Sequence, residues 1–319
     1  TQTRTYEYDA NGGAIENYLV SSGNATPRGI AMTAAGDRAW VVDANRNVYV
    51  YNTSGGLLGS WTAGSLSTST NAVQGIATDG TNIWIVDSQA DRVFYYANAA
   101  SRLSGSQTAT SFLLGTGNTS ATDLVFGSDG TNRTLWVVNS STTDRVYRYT
   151  LGTNGLSTTA PTSWALNTAN STPSGITLDP SNGSFDIWVV DSGTDRVYRY
   201  ANARNLTSPT LTSSFALAAG NTNPQGIADP PPAGFTGEVL EPTATSTAVP
   251  FVGPQPQTRF APGSSDSNEL QQVIALEQFA ADGFDWADST PGIFGVQGSG
   301  SEVFVGPLAQ LDTAFSMWN

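Results

Sequence analysis

The 319-residue chain contains no histidine, no cysteine and no lysine, and all 13 of its basic residues are arginine. Without cysteine there are no disulfides and no thiol chemistry, and without histidine there is no imidazole base or imidazole metal ligand. A serine nucleophile would have neither a histidine nor a lysine to activate it. A phosphate-binding loop of the Gly-x-x-x-x-Gly-Lys type is excluded because it needs a lysine. These absences remove most of the common hydrolytic and nucleotide-dependent mechanisms.

Charge is scarce and mostly of one sign. Only 12% of the residues are charged, and the formal net charge is −13. A chain with so few cations cannot neutralise a row of phosphates, so nucleic acid and anionic membrane surfaces are disfavoured as partners. No apolar run approaches the roughly 20 residues that a membrane span needs, and we expect no membrane insertion.

Serine, threonine, asparagine and glycine take the place of the missing charges, while a hydrophobic content of 39% is sufficient for a packed core. This composition, with a pI near 4.2, favours an extracellular protein of a bacterial cell surface. Residues 1–4 do not open a signal peptide, so we expect a mature form, a fragment or an intracellular protein.

A repeated motif organises the first 232 residues. Its clearest copy, residues 186–200, reads as two strands of β-branched and aromatic residues joined by a short polar turn. Trp40, Trp84, Trp136 and Trp188 mark four copies. A strand that follows a Gly-Ile step precedes the tryptophan strand in most copies, and a looser fourth strand closes each unit. Four short antiparallel strands repeated every 44–52 residues are typical of β-propeller blades.

The two ends of the repeat region are incomplete. Residues 4–8 align with residues 196–200, so the chain starts at the third strand of a unit, and residues 225–229 begin another unit. We therefore predict a composite blade built from residues 1–20 and 225–229, which closes a five-bladed ring, with six blades as the alternative. Its second strand would come from residues 237–240 or 302–305.

The predicted organisation has three parts: a propeller over residues 1–232, a Pro/Thr-rich linker or strap over 233–262, and an aromatic-rich extension over 263–319. Consecutive prolines cannot pair in a sheet, which ends the repeat region. Asp266 and Glu269 have the spacing of a capping box and predict one helix. The fold class is therefore all-β, a propeller of four-stranded blades with a small C-terminal extension that contains one helix.

The steps Gly-Ile-Ala-x-Asp, Trp-Val-Val-Asp and Asp-Arg-Val-Tyr together resemble the NHL repeat and related propeller repeats of large secreted bacterial proteins of the planctomycete type. The resemblance covers residues 1–232. It implies a fold and an extracellular location, but no reaction.

Each unit also places an aspartate or asparagine after the tryptophan strand and an arginine before the next strand. We predict that these side chains latch neighbouring blades or lock the turn through charge-assisted hydrogen bonds. The pairs are Asp43 with Arg46, Asp87 with Arg92, Asn139 with Arg145, and Asp191 with Arg196.

Propellers of the lactonase type hold calcium in their central channel with Glu, Asn and Asp. By that likeness, Asp79, Asp123, Asp179 and Asp229 are candidate calcium ligands because they follow first strands. We favour the alternative that they are turn residues, and we expect no cofactor. Any cation that does bind should be hard and oxygen-ligated, which indicates calcium.

The expected function is non-enzymatic: a structural or adhesive surface protein that self-assembles into a filament or lattice, with other copies, surface proteins or glycans as partners. Two alternatives stay open, a glycan- or protein-binding propeller module and a calcium-dependent propeller hydrolase. The assembly contacts are expected in the C-terminal extension, at Leu270, Val273, Ile274, Phe279, Trp286, Phe304 and Trp318.

Overall fold

A computed structural model describes residues 3–9, 11–33, 36–52, 54–179 and 184–228. The chain divides into two compact units, Thr1–Leu240 and Glu241–Asn319, and all the described residues belong to the first. They contain 19 β-strands. In this described part, no helix is both long and apolar enough to cross a membrane.

The strands form four blades and one further sector. The sector contributes β1 (Arg4–Tyr8) and β2 (Ala14–Leu19). Blade 1 consists of β3 (Pro27–Met32), β4 (Arg38–Asp43), β5 (Asn47–Asn52) and β6 (Leu57–Ala63). Blade 2 consists of β7 (Val73–Thr78), β8 (Ile83–Asp87), β9 (Arg92–Tyr96) and β11 (Thr110–Leu113), with the short β10 (Ser106–Gln107) between the last two along the chain. Blade 3 consists of β12 (Ala121–Ser128), β13 (Arg133–Asn139), β14 (Arg145–Thr150) and β15 (Thr162–Ala165). Blade 4 consists of β16 (Pro173–Leu178), β17 (Ile187–Asp191), β18 (Arg196–Ala201) and β19 (Thr210–Ala216).

Within each blade the four strands pair antiparallel in chain order, from the inner strand outward. The tryptophan strands are second in the order, and β8 and β17 are buried at every position. Both faces of such a strand are covered because blades pack face to face, which explains its continuous apolar sequence. The predicted propeller architecture is confirmed.

The tryptophans belong to the cores between blades. Trp40 of blade 1 packs in one cluster with Ile76 and Ile85 of blade 2. Trp136 of blade 3 shares a second cluster with Ile187 and Val189 of blade 4. Burial of a tryptophan removes roughly 150–250 Å² from water, so these residues supply much of the adhesion between blades.

One strand pairing has no counterpart in the sequence pattern. The short strand β10 pairs parallel with β6, at Ser106 with Thr62 and Gln107 with Ala63, and so extends the sheet of blade 1 with a segment from blade 2. An exposed outer strand is thereby partly covered, which reduces the edge available for pairing with other chains.

The fifth sector lies between blades 4 and 1 and contains both ends of the repeat region. The Tyr8 hydroxyl accepts hydrogen bonds from the Ala218 amide at 3.1 Å and the Asn221 side chain at 2.9 Å. Tyr149, on the third strand of blade 3, makes the same pair of bonds with Gly115 and Asn118. β1 is therefore in the position of a third strand.

The inner position of the sector is taken by residues 225–228. A Cβ atom built on Gly226 would lie 2.9 Å from the Cα atom of Gly29, on the inner strand of blade 1. The two predicted end segments thus share one sector, and the ring has five positions around its axis. The two candidate second strands, the predicted helix, Asp229, the assembly contacts and the domain boundaries at 232 and 262 all lie outside the described residues.

Candidate functional site

The aspartates of the predicted latches are buried, and backbone amides are their partners. Asp43 accepts hydrogen bonds from the amides of Thr26 at 2.7 Å and Asn45 at 2.8 Å. Asp191 does the same with Thr172 at 2.7 Å and Gly193 at 2.9 Å. One carboxylate oxygen closes the turn after the tryptophan strand, and the other holds the loop that enters the blade.

Asp87 follows the same rule with Ser67, Gln89 and Ala90. Blade 3 differs, because Asn139 donates through its side-chain amide to Asn118 at 3.2 Å. In the other three blades, the buried backbone amides of the turn and the entering loop need an acceptor, and the aspartate carboxylate supplies it.

The arginines of these pairs bind serines on the neighbouring fourth strand of their own blade. Arg92 donates to Ser111 Oγ at 3.0 Å, and Arg145 donates through Nε to Ser163 Oγ at 3.1 Å. Arg196 binds Ser214 in the same way, at 3.0 Å through its terminal nitrogen. Arg46 lies in the turn itself with a φ of 72°. The described residues show no ion pair between an arginine and the aspartate with which it was paired in the sequence.

Ion pairs occur instead at the turns between the first and second strands. Asp79 of blade 2 pairs with Arg133 of blade 3 at 2.9 Å, so a candidate calcium ligand is a contact between blades. Asp179 pairs with Arg199 at 3.2 Å. A carboxylate already bound to a guanidinium is a poor ligand for a second cation.

The calcium candidates do not come together. Asp79 and Asp179 lie in turns of different blades, Asp123 lies on an inner strand, and Asp229 is outside the described residues. No group of three or more acidic side chains that could hold a metal occurs in the part of the chain that the structure describes. These residues do not fit a calcium site, since calcium takes six to eight oxygen ligands.

The expectation that Asp123 is a turn residue after a first strand is wrong, because Asp123 lies within the inner strand β12. Its register partner is Val138, which places it where Gly29, Gly75 and Gly175 face the second strands of their own blades. The true counterpart of Asp79 is Asp129, which interacts with Arg148 at 4.0 Å. The sequence contained a signal for it, because Asp-Gly-Thr-Asn occurs at both 79–82 and 129–132.

The inner strands meet in a ring of small residues around the axis. A Cβ atom on Gly29 would lie 2.7 Å from Gly75 Cα, and one on Gly175 would lie 2.7 Å from Gly226 Cα. Asp123 takes the remaining position and is fully buried. The ring therefore admits one side chain, and that side chain is a carboxylate.

The Asp123 carboxylate is surrounded by backbone. Its Oδ2 atom accepts a hydrogen bond from the Ile176 amide at 3.0 Å. Burial raises the pKa of Asp123 well above its usual range, and the amides of Ile176, Leu124 and Ile76 offset part of that rise. The folded state therefore keeps this proton to a higher pH than the unfolded chain does.

A pH dependence follows from that shift. The contribution of Asp123 to stability is fully present below the unfolded-state pKa of about 3.9 and is lost as the pH rises through the folded-state pKa. We expect the melting temperature of the parent protein, measured relative to Asp123→Asn, to fall as the pH is raised from about 4 to about 8. Because all other groups are common to both proteins, the difference isolates Asp123. A constant difference across this range would contradict the assignment.

The channel beyond the ring is narrow. It is lined by residues of the four inner strands and of the segment 225–228, among them Ile30, Ile76, Leu124, Ile176 and Ile227, and its free volume is about 30 Å³. That space holds only about two water molecules. A sugar-sized ligand does not fit along the axis.

A larger groove lies between blades 2 and 3. Its volume is about 470 Å³, which is within the range of roughly 300–1,000 Å³ found for small-molecule sites. No charged side chain lines it. Leu113, which is 63% exposed, contributes an apolar rim to the groove, and Pro161 adds a second apolar contact. The hydroxyl-bearing residues of its lining are Thr116, Tyr147, Tyr149, Ser157, Thr159 and Ser163.

One wall of the groove is the polar insertion between β14 and β15. The insertion folds back on β14, where Thr158 donates to the Thr150 carbonyl at 3.0 Å. It is anchored to blade 2 because Trp84 Nε1 donates to the Gly155 carbonyl at 2.8 Å. Trp40 holds the corresponding loop of blade 2 through the Ala100 carbonyl at 3.2 Å.

The Tyr147 hydroxyl distinguishes this groove from the other gaps between blades. Tyr6, Tyr49 and Tyr198 stand at the same position of their units, and each hydroxyl donates to a carbonyl of the preceding loop, at 2.7, 2.5 and 2.7 Å. In blade 2 the position is Phe94. No such bond is formed by Tyr147 within the described residues, although its ring is buried. A hydroxyl that other units use for structure is available here to a ligand.

No protein-family model and no curated protein sequence matches the chain. Many solved structures resemble it, among them the following two. One is a protein described as a 6-phosphogluconolactonase from Bacteroides fragilis, with 13% identity and a TM-score of 0.40, covering 69% of this chain and 65% of its own length. The other is a gluconolactonase from Xanthomonas campestris, with 15% identity and a TM-score of 0.41, covering 64% of this chain and 67% of its own. The chain thus spans about two thirds of the length of each.

The prediction of a non-enzymatic, filament-forming surface protein is corrected by these comparisons. These two structures are named as lactonases and not as surface or adhesive proteins. The two alternatives from the sequence, a propeller hydrolase and a binding module, remain. The resemblance to NHL-like surface repeats stays a prediction.

Proposed function

We propose that the protein binds a small, uncharged, hydroxyl-rich molecule of the sugar or sugar-lactone class in the groove between blades 2 and 3. The Tyr147 hydroxyl is the observation that carries this proposal, because the hydroxyls of the three equivalent tyrosines donate hydrogen bonds to backbone carbonyls of the protein itself. A buried aromatic ring with an accessible hydroxyl offers an apolar surface and a polar contact at one point.

The chemistry of the groove supports the ligand class. Ser157, Thr159 and Ser163 are lining residues with hydroxyl groups, although Ser163 Oγ already accepts a hydrogen bond from Arg145. Leu113 and Pro161 provide the apolar contacts that the C–H faces of a sugar require. The lining carries no cation, and the net charge of −13 disfavours an anionic ligand. A neutral polyhydroxylated molecule is the class that fits.

The proposal is tested by calorimetric titration of the full chain with glucono-δ-lactone and, separately, with cellobiose. Saturable binding of either ligand supports it, and absence of heat with both at high millimolar concentration overturns it. Acid release from the lactone is followed in parallel, with and without added calcium. Turnover would make the protein a hydrolase, whereas binding without turnover would make it a binding module.

We expect Tyr147→Phe to weaken the binding of that ligand about fivefold, because one neutral hydrogen bond is lost while the ring remains. Tyr198→Phe is the matched control, since its hydroxyl binds the Ala169 carbonyl instead of the groove. This control should lower the melting temperature without changing the dissociation constant. Equal affinities for Tyr147→Phe and the parent would contradict the proposal that the Tyr147 hydroxyl contacts the ligand.

We also propose that the protein is located outside the cell, at a bacterial surface, because its charge is low and small polar residues are abundant. Surface glycans would then be the natural source of the ligand. Immunogold labelling of intact cells tests the location, and labelling confined to the cell interior would contradict it.

A further inference from the structure

Two glutamates face each other across the hairpin of the fifth sector. Glu7 on β1 and Glu16 on β2 are direct partners in the register of the two strands. Side chains at such positions have Cβ atoms about 4.5–5.5 Å apart, and like charges placed there destabilise the pairing. No arginine forms an ion pair with either glutamate in the part of the chain that the structure describes. The hairpin therefore carries a like-charged pair without a counterion.

The one side chain that binds the pair is a phenol. Tyr18, two residues further along β2, donates a hydrogen bond to Glu16 Oε1 and packs on Gly55 of blade 1. The bond to Glu16 raises the pKa of Tyr18 to about 12, so the phenol stays neutral. It donates a hydrogen bond but brings no positive charge.

The other charged side chains of the hairpin and of the neighbouring blades have different partners or none. Arg4 of β1 donates to Asn17, and Asp9 accepts hydrogen bonds from amides of its own turn. Arg38 of blade 1 forms no ion pair with a described residue. Neither the blade 1 turn at 52–56 nor the outer strand β19 of blade 4 contains a charged residue. Nothing charged compensates the two glutamates.

A shared proton is the remaining way to relieve the repulsion. Partial burial raises the pKa of Glu7 above its usual range, and the hydrogen bond with Glu16 and the charge of Glu16 raise it further. When one of two carboxyl groups in contact is protonated, it donates to the other, and repulsion is replaced by a hydrogen bond. The two glutamates therefore titrate as a pair.

This hairpin depends on few interactions. Its sheet has two strands, whereas each blade has at least four. No residue of β1 is buried, while the equivalent strands β14 and β18 each bury three. A two-stranded hairpin is marginally stable on its own. The bonds of Tyr6 and Tyr8 to the loop of blade 4 thus rest on an element that a small change in energy can loosen.

We propose that the hairpin β1–β2 is an acid-strengthened clasp of the propeller: Glu7 and Glu16 share one proton in mild acid and lose it toward neutral pH, which loosens the closure between blades 4 and 1. Because folding raises the pKa of Glu7, the bond contributes fully below the unfolded-state pKa of about 4.3. Its contribution is lost as the pH rises through the folded-state pKa. The clasp is separate from the groove between blades 2 and 3 and does not depend on a ligand there.

The experiment compares the full chain with Glu16→Gln by hydrogen–deuterium exchange and thermal melts at pH 4 and pH 8. The glutamine amide donates to Glu7 at either pH, so the variant keeps the bond that the parent loses. The amides of residues 4–19 should exchange about threefold more slowly in the variant than in the parent at pH 8, and at equal rates at pH 4. The melting temperature of the variant relative to the parent should rise by about 2 °C between the two pH values.

Glu7→Gln should reproduce Glu16→Gln, because either substitution replaces the shared proton by an amide donor. Asp37→Asn is the matched control, since it removes one exposed carboxylate of blade 1 without touching the hairpin. An equal slowing of exchange at residues 4–19 in this control would show an effect of net charge and overturn the proposal. So would a difference between Glu16→Gln and the parent that is the same at pH 4 and pH 8, or a change in exchange spread evenly over all the blades.

Discussion

Replacement of Trp84 by alanine is expected to lower the free energy of unfolding by about 4 kcal/mol. Trp84 is fully buried and stacks on Phe126 with ring centroids 5.0 Å apart and an angle of 4° between the planes. Its indole nitrogen also holds the Gly155 carbonyl at 2.8 Å. Truncation therefore leaves a cavity between blades 2 and 3 and leaves the Gly155 carbonyl without its donor.

Trp188→Ala is the matched control for this prediction. Trp188 stands at the same position of blade 4, but it is 7% exposed and its indole nitrogen has no hydrogen-bond partner within the described residues. Urea unfolding of both variants should show the larger loss for Trp84→Ala. If the two losses are equal, the stacking on Phe126 and the Gly155 bond contribute no more than the contacts of Trp188 with Phe215 and Arg199. The Trp84 variant should also bind the groove ligand more weakly, since the wall of the groove is released.

Gly75→Ala is expected to destabilise the fold by about 3 kcal/mol, the upper end of the usual cost of overpacking. The added Cβ atom would lie 2.5 Å from the Cα atom of Asp123 and also against its carboxylate. Backbone cannot move aside as a flexible side chain can, so the inner strands of blades 2 and 3 must separate.

The control is Gly80→Ala, in the turn that follows the same strand. Gly80 has a φ of 86°, and no atom lies within 4 Å of a Cβ built on it. Only the conformational cost of a left-handed residue applies there, about 1 kcal/mol. Thermal and urea unfolding should rank Gly75→Ala well below Gly80→Ala in stability. The reverse order would mean that the ring of inner strands is not closely packed.

The propeller itself could be predicted from the sequence because its signals are local. A run such as Ile187–Asp191, a turn of small polar residues and an alternating strand follow one another within 15 residues, and each choice depends on neighbours along the chain. Repetition then fixed the architecture, since one blade cannot bury its own faces. The composite sector was predictable for the same reason, because Tyr6 and Tyr8 repeat the pattern of Tyr198 and Tyr200.

The partners of charged side chains were not predictable from spacing. Asp191 and Arg196 are neighbours in register, yet the carboxylate binds the amides of a turn and a loop while the arginine binds Ser214. Which acceptor a buried amide finds depends on the path of the loop that enters the blade. The sequence did not show that Asp123 lies on the axis, because its neighbours across the ring come from other blades.

The pentapeptide Arg-Val-Tyr-Arg-Tyr shows which structural features follow from the local sequence and which depend on tertiary contacts. It occurs identically at 145–149 and 196–200, and in both places it forms the third strand of a blade. Its local sequence determines the strand, the buried face and the position of both tyrosines. The Tyr198 hydroxyl nevertheless donates to the Ala169 carbonyl, while Tyr147 lines an open groove and makes no such bond within the described residues. That difference was decided by the loop of the preceding blade and by the insertion beside it, because a hydroxyl at the end of a rigid ring can bond only to what the neighbouring blade brings within reach.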